Sequence, residues 1–323
     1  MLRKILNTVK GMALPISIIS GVCAYFIYHN LPLGADVRHT TAYMVGVVQP
    51  LLLFFMLFLS FCRVEPQQMK PKLWHIWLGL LQIISCAIFA LIAMYCSGDE
   101  KIIAEVAMCC LVCPPATASV VIIGKLGGNI SSGSTYIVIG NIIVSIVMPL
   151  FIPFIHPESG ATFLSTFWTM IGKLFPLMLG PLLLAWLVRY MLPKVHAYLV
   201  SVANLSFFLW LIALSLAMAT ACRALVNSNV GHFTLAAMAV VSLGCCLFQF
   251  WVGRRIGAEY SDSIAAGQTL GQKNTVFLIW MAYTFLTPVT AISGGLYSIW
   301  HNLINTWQLA RHERYTGDPF KRP

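Results

Sequence analysis

Ten long apolar runs take up most of this chain and leave only short connections between them. About 20 apolar residues in a helix are enough to span the hydrocarbon core of a bilayer. Of the 323 residues, 59% are hydrophobic and 9% are charged, whereas a soluble globular protein carries about 25% charged residues. The pattern therefore predicts an all-α membrane protein with ten transmembrane helices. The predicted spans are residues 11–30, 42–62, 74–96, 102–127, 134–155, 168–190, 207–224, 231–252, 259–287 and 289–308.

The positive charge of the chain is read as a topology signal. The net charge is +10, but the basic residues stand at span ends and form no basic stripe with interleaved aromatics, so no nucleic acid partner is expected. With the N-terminus in the cytoplasm, fifteen Lys and Arg lie inside and only Arg38, Lys101 and Arg223 lie outside. This bias predicts a multi-pass protein of the inner (plasma) membrane with both termini cytoplasmic. The first apolar run is interpreted as a transmembrane span and not as a cleaved signal peptide.

The ten cysteines lie mostly inside apolar runs, where cysteine usually acts as a small buried hydrophobe. Cys109, Cys110 and Cys113 have a metal-like spacing, but no His or acidic residue stands close to them in sequence. We therefore expect no disulfide, no metal site and no cofactor. The composition excludes a soluble enzyme. A membrane-embedded enzyme is not favoured, because no His/acid or Cys/His pair stands out within the spans.

The fourth and ninth runs differ from the others because each contains a helix-breaking stretch. In the fourth run, Pro114 and Pro115 lack amide donors and clash with the preceding turn, so the helix must break there. The ninth run contains the polar, glycine-marked stretch 267–275, which includes Lys273. Broken backbone at membrane depth has to be satisfied by protein groups or by water in a cavity.

The positions of the two breaks predict an internal repeat. The chain divides into a first five-helix repeat (1–155), a second, inverted five-helix repeat (156–310) and a cytoplasmic tail (311–323), and each repeat has its broken helix in fourth place. In secondary transporters, paired discontinuous helices mark the binding site near the bilayer midplane. Half-helix N-termini carry partial positive charge and free N–H groups, which suit an anionic substrate.

The stretch Cys113-Pro-Pro-Ala-Thr-Ala-Ser119, the pair Gly128-Asn129 and the spacing Gly271-x-x-Asn274 resemble the bile acid:sodium symporter (BASS) family. The resemblance implies ten spans in a panel domain (helices 1, 2, 6 and 7) and a core domain (helices 3–5 and 8–10). It also implies that discontinuous helices 4 and 9 cross near the midplane, with two sodium ions behind the crossing. The chain is then a divergent member of that family.

The resemblance also implies site residues, and some of these match while others do not. Thr117, Ala118 and Asn274 match positions that line the substrate site, and Thr275 follows directly. Ser119 and Gln82 match sodium-site positions. Several further sodium-site positions do not match the residues of the family. These are Val120 in place of an asparagine, Gly133 and Ile137 in place of hydroxyl residues, Thr269 or Gln268 in place of a carboxylate, and Lys273 in place of a glutamine.

These departures lead to a hypothesis about coupling. An ammonium close to a bound sodium ion would be repelled strongly at low dielectric. Lys273 is therefore expected to replace a coupling cation, which makes transport sodium-independent, either as uniport or linked to H⁺ if the lysine titrates. The predicted coupling or ion site consists of Lys273, Gln82, Ser119, Gln268, Thr269 and Gln272. The predicted substrate site consists of Thr117, Ala118, Ser119, Asn274 and Thr275.

The leading prediction is thus a secondary active or facilitative transporter that moves a bile-acid-like molecule or small carboxylate by alternating access. Two alternatives stay open: a sodium-coupled organic anion symporter, and a membrane receptor or sensor that binds a ligand without transport. The expected partners are a small organic anion, membrane lipid and H⁺ or Na⁺. A monomer is compatible with the sequence, which does not fix the oligomeric state.

Overall fold

The computed structural model describes residues 13–157 and 160–316, and within these ranges the chain folds into thirteen α-helices and no β-strand. The described part of the chain is thus all-helical, which is consistent with the predicted α-helical membrane protein. The helices are α1 (Ala13–Asn30), α2 (Ala35–Phe61), α3 (Leu73–Tyr95), α4 (Gly98–Val112), α5 (Ser119–Lys125), α6 (Ile130–Ile155), α7 (Phe163–Met191), α8 (Pro193–Ser201), α9 (Ala203–Val226), α10 (His232–Ala258), α11 (Ser263–Gly271), α12 (Thr275–Phe285) and α13 (Ile292–Thr316).

Eight of the ten predicted runs coincide with one helix each, and the fourth and ninth runs are each divided into two. The predicted interruptions in these two runs are therefore confirmed. Among the described helices, six are long and apolar enough to cross a bilayer. The helices of the two divided runs are too short to be among these six, and α1 and α13 are not among them either, so the count of ten spans stays a prediction.

Two features at the ends of helices were not predicted. Helix α8 stands in a segment that the sequence analysis treated as a connection, with Pro193 in its first turn and no buried residue. Helix α13 continues to Thr316, six residues into the predicted tail 311–323. The basic residues Arg3, Lys4, Lys10, Lys321 and Arg322, which supported the predicted orientation, lie outside the described residues.

Many large apolar side chains are exposed on the long helices. Trp77, Trp168 and Trp251 are each more than half exposed, at 52%, 61% and 59%. A water-soluble surface rarely presents apolar area on this scale. The hydrocarbon of a bilayer would cover these side chains, as the composition predicts.

The chain forms two compact units. The first unit combines Met1–Arg63 with Gly180–Asn229, and the second combines Val64–Leu179 with Val230–Pro323. In the first unit, α9 packs against α1 and α2. A hydrogen bond of 2.8 Å joins the Ser20 and Ser215 hydroxyl oxygens, and His196 contacts the Cys62 carbonyl at 2.8 Å.

The second unit contains both interrupted runs and is held together at its ends by two buried carboxylates. Asp262, in the turn before α11, accepts hydrogen bonds from the Trp74 indole and the Ser132 hydroxyl, both at 2.9 Å, and forms an ion pair with Lys72. Glu105 of α4 contacts His156 at 2.7 Å and accepts a hydrogen bond of 2.6 Å from the Thr290 hydroxyl. Each carboxylate thus joins three segments that are far apart in sequence.

We expect Asp262→Ala to destabilise the second unit strongly. The substitution removes the one acceptor shared by Lys72, Trp74 and Ser132, and it leaves the last two buried donors unpartnered. The cost is about 3 kcal/mol, measurable as a lower midpoint of thermal unfolding in detergent. The neighbouring, exposed Glu259 is the control, and Glu259→Ala should leave the midpoint almost unchanged. Equal effects of the two substitutions would contradict the role of Asp262.

Candidate functional site

The first interruption lies between α4 and α5 in the second unit. Helix α4 ends at Val112, residues 113–118 are non-helical, and α5 begins at Ser119. Pro114 and Pro115 stand in the middle of this segment, where neither residue has a backbone N–H to offer a helix. The break therefore occurs where the double proline predicts it.

The second interruption lies between α11 and α12 and consists of Gln272, Lys273 and Asn274. No proline stands here. The Asn274 side chain caps α12 by accepting a hydrogen bond of 3.2 Å from the Phe277 amide, and this use of an Asn as N-cap begins a new helix. The second break is thus produced by a cap.

The backbones of the two interruptions pair with each other. The Ala116 amide donates to the Gln272 carbonyl at 2.8 Å, and the Asn274 amide donates to the Pro114 carbonyl at 2.9 Å. These bonds form a short antiparallel bridge centred on Pro115 and Lys273. Lipid offers no hydrogen bonds, so broken backbone within a bilayer needs partners of this kind. The structure therefore brings the two predicted breaks together; their depth in the membrane stays a prediction.

Side chains from two long helices support this crossing. The Gln82 amide of α3 donates to the carbonyls of Val112 and Cys113 at 3.2 and 3.3 Å, and its oxygen accepts a hydrogen bond of 2.6 Å from the Tyr136 hydroxyl of α6. All four residues are buried. Gln82, predicted as an ion-site residue, here satisfies two carbonyls that the end of α4 leaves without helical partners.

A second glutamine–tyrosine pair, which the sequence analysis missed, lies beside the other break. The Gln249 amide of α10 donates to the Cys110 carbonyl at 3.1 Å and to the Tyr297 hydroxyl at 2.9 Å. Tyr297 of α13 in turn donates to the Gly271 carbonyl at 2.8 Å, where α11 ends. The sequence signal that could have identified this pair is the presence of polar residues, Gln249 and Tyr297, within the apolar runs 231–252 and 289–308.

Lys273 is the most unusual charged residue of the site. Its side chain is 1% exposed, and its ammonium donates to the Leu111 carbonyl at 3.2 Å. Ion pairs in the described ranges join Lys72 to Asp262 and His156 to Glu105, and none of them includes Lys273. A buried charge compensated only by dipoles is costly, and in membrane proteins such charges commonly mark functional sites.

The predicted substrate residues lie at the starts of the two half-helices that follow the breaks. Thr117 is half-buried, Ala118 is exposed, and Ser119 is buried with its hydroxyl on the Ala116 carbonyl at 2.7 Å. Asn274 and Thr275 are each 5% exposed at the start of α12. Pairing of the breaks brings these two groups of residues into one region of the second unit.

The other predicted ion-site residues make different contacts. Gln268 donates to the Gln308 oxygen of α13 at 2.7 Å, and the Thr269 hydroxyl donates to the Ala265 carbonyl of its own helix at 2.8 Å. The Gln272 side-chain oxygen is buried and has no hydrogen-bond partner among the described residues.

The Gln82 contacts support a prediction with an internal comparison. Gln82→Leu leaves two carbonyls and the Tyr136 hydroxyl unpartnered, whereas Tyr136→Phe leaves the Gln82 amide on both carbonyls. We expect the first substitution to cost about 2 kcal/mol and the second about half of that, on the scale of buried polar groups that lose partners. Thermal unfolding of the detergent-purified variants measures both. A larger loss for Tyr136→Phe would contradict the assignment.

Comparison with known proteins supports a transporter. In an alignment over 252 residues that covers 73% of this chain and 73% of the relative, the chain is 23% identical to a protein of Bacillus subtilis (strain 168) named "Uncharacterized sodium-dependent transporter YocS". No family model matches the chain. The similarity to this relative and the apolar helices together support a multi-pass membrane transporter.

Proposed function

We propose that this protein is a secondary transporter of an organic anion, of the bile acid:sodium symporter type, working by alternating access in the plasma membrane with cytoplasmic termini. The observation that carries the proposal is the backbone pairing of the two interrupted helices. In secondary transporters, discontinuous helices that meet near the bilayer midplane form the substrate and ion sites.

Paired contacts support the proposed inverted repeat. The glutamine–tyrosine pair of α3 and α6 has a counterpart in α10 and α13, each next to one break. Likewise, a carboxylate at the start of each interrupted run accepts a hydrogen bond from the first turn of the long helix that precedes the other interrupted run. These contacts are Trp74 to Asp262 and Thr234 to Asp99. Equivalent contacts in the two halves are expected if five helices are repeated.

The chemistry of the crossing favours an anion. The N-terminus of α12 contributes partial positive charge at Asn274 and Thr275, and the Lys273 ammonium adds a full positive charge to the crossing, at the Leu111 carbonyl. Thr117 and Ser119 add hydroxyl groups on the other half-helix. We place the anionic group of a bile-acid-like molecule or small carboxylate there, with Ala118 as a small apolar contact.

We further propose that Lys273 replaces the coupling cation, so that transport does not require sodium. Its buried ammonium would repel a sodium ion bound nearby. The alternative is sodium symport, which the printed name of the Bacillus relative favours. Sodium-independent transport is also compatible with coupling to H⁺ through titration of Lys273.

Uptake by proteoliposomes tests both proposals. Labelled taurocholate and a labelled short carboxylate are supplied with external sodium, with potassium, and with an imposed pH gradient. We expect saturable uptake above that of empty liposomes at equal rates in sodium and potassium, because the lysine supplies the positive charge. A steep sodium dependence would establish the symport alternative, and saturable binding without flux would indicate a sensor.

A further inference from the structure

A polar cavity lies in the second unit between the end of α5, α10, the start of α11 and the end of α13. Its volume is about 310 Å³, and Arg254, Trp307, Gln308, Arg311 and His312 form most of its lining. None of the residues assigned above to substrate or coupling lines it. Its chemistry can therefore be considered independently of transport.

The polar lining consists of hydrogen-bond donors and cations. Gln308 uses its side-chain oxygen twice, as acceptor from Arg254 at 2.6 Å and from Gln268 at 2.7 Å. This orientation presents its amide N–H₂ as a donor. Arg254 and Arg311 bring two positive charges to this lining, which consists of described residues and includes no carboxylate.

Two guanidinium groups and an amide facing one space match an oxyanion of tetrahedral shape. Arginine presents donors in a fixed fork that suits phosphate oxygens, and a phosphate would remove the repulsion between the two arginines. Trp307 is 58% exposed, with the Arg311 guanidinium carbon 5.4 Å from its ring centroid. Exposed tryptophans of this kind are enriched where a membrane protein meets the headgroup region.

We propose that this cavity is a binding site for a phosphoryl group, either the phosphodiester of an anionic lipid headgroup or a soluble phosphate. Arg254 and Arg311 bind its oxygens, Gln308 orients Arg254 and donates its amide, and Trp307 packs against the Arg311 side chain. Basic pockets at the ends of transmembrane helices are suited to headgroups of this charge.

Native mass spectrometry of the full-length protein tests the site. The protein is purified in detergent and equilibrated with equal amounts of dioleoylphosphatidylglycerol and dioleoylphosphatidylcholine. We expect preferential retention of phosphatidylglycerol by the unmodified protein and loss of that preference in the double variant Arg254→Gln/Arg311→Gln. Arg311→Gln alone should weaken retention, and because Arg311 is exposed, this variant keeps the fold.

Arg255→Gln is the matched control, because Arg255 is the next residue of α10, lies over the Trp251 ring and does not line the cavity. It should retain phosphatidylglycerol as the unmodified protein does. An unchanged preference in the double variant, or an equal loss in Arg255→Gln, would overturn the proposal.

Inorganic phosphate, titrated at constant ionic strength with chloride as reference, separates the two sources of the phosphoryl group. Displacement of phosphatidylglycerol by phosphate but not by chloride supports a site open to soluble phosphates. Retention of the lipid throughout supports a headgroup site.

Discussion

Lys273→Met should abolish transport and at the same time raise the stability of the protein. The ammonium is buried, with one described hydrogen bond, to the Leu111 carbonyl. Methionine has a similar length and no charge, so it avoids the cost of burying an ion. That gain is about 2 kcal/mol if it resembles other replacements of buried charge by apolar groups. The positive charge proposed to hold the substrate is lost with it.

Uptake by proteoliposomes and thermal unfolding, measured on the same preparations, test the two halves of this prediction. Lys173→Met is the control, because Lys173 is an exposed lysine on α7 whose ammonium lies 5.7 Å from the centroid of the Phe285 ring. It should change neither quantity appreciably. Full transport by Lys273→Met would remove the lysine from the mechanism.

Lys273→Gln gives more information about coupling. The resemblance to the symporter family places a sodium-binding glutamine at this position. We therefore expect Lys273→Gln either to lose transport or to acquire sensitivity to external cations. Unchanged sodium-independent uptake by this variant would contradict the replacement of a coupling cation by Lys273.

Gly140→Leu should disrupt the crossing at Pro115, the residue of the first interruption that pairs with Lys273. Gly140 lies on α6, and a Cβ added there would be 2.5 Å from Cδ and 2.9 Å from Cγ of Pro115. Either Pro115 or α6 must move, and Pro115 is the residue paired with Lys273. Overpacking of this kind typically costs 1–3 kcal/mol, so we expect a loss of about 2 kcal/mol together with most of the transport activity.

Gly244→Leu serves as the control for Gly140→Leu. Gly244 also lies inside a long helix, α10, but a Cβ there would meet no atom within 4 Å among the described residues. Because leucine is a better helix former than glycine, this variant should be neutral or slightly stabilised. Similar losses in both variants would show that helix conformation, and not the approach to Pro115, decides the effect.

The sequence is informative about this fold where the signal is local. Apolar runs predicted the long helices, and the double proline at 114–115 predicted the first break to within a few residues. The polar stretch around Lys273 predicted the second break, although an N-cap at Asn274 produces it. These signals require no knowledge of distant residues.

Contacts between distant segments could not be predicted in the same way. Gln268 was assigned to an ion site, but its amide bonds to Gln308, forty residues further along. The role of Tyr297 on α13 depends on Gln249 of α10 and on the Gly271 carbonyl of α11, so three separate helices are involved. Polar residues within apolar helices indicate that a hydrogen-bond partner exists, and only the packing of the helices identifies that partner.

An experimental density map of the protein in a lipid nanodisc tests the central claim most directly. We expect two separate breaks, at 113–118 and 272–274, with the Ala116 amide within hydrogen-bonding distance of the Gln272 carbonyl, here 2.8 Å. We also expect the paired segments to lie at the depth of the hydrocarbon core. Continuous helices through either segment, or breaks that lie apart, would contradict the account.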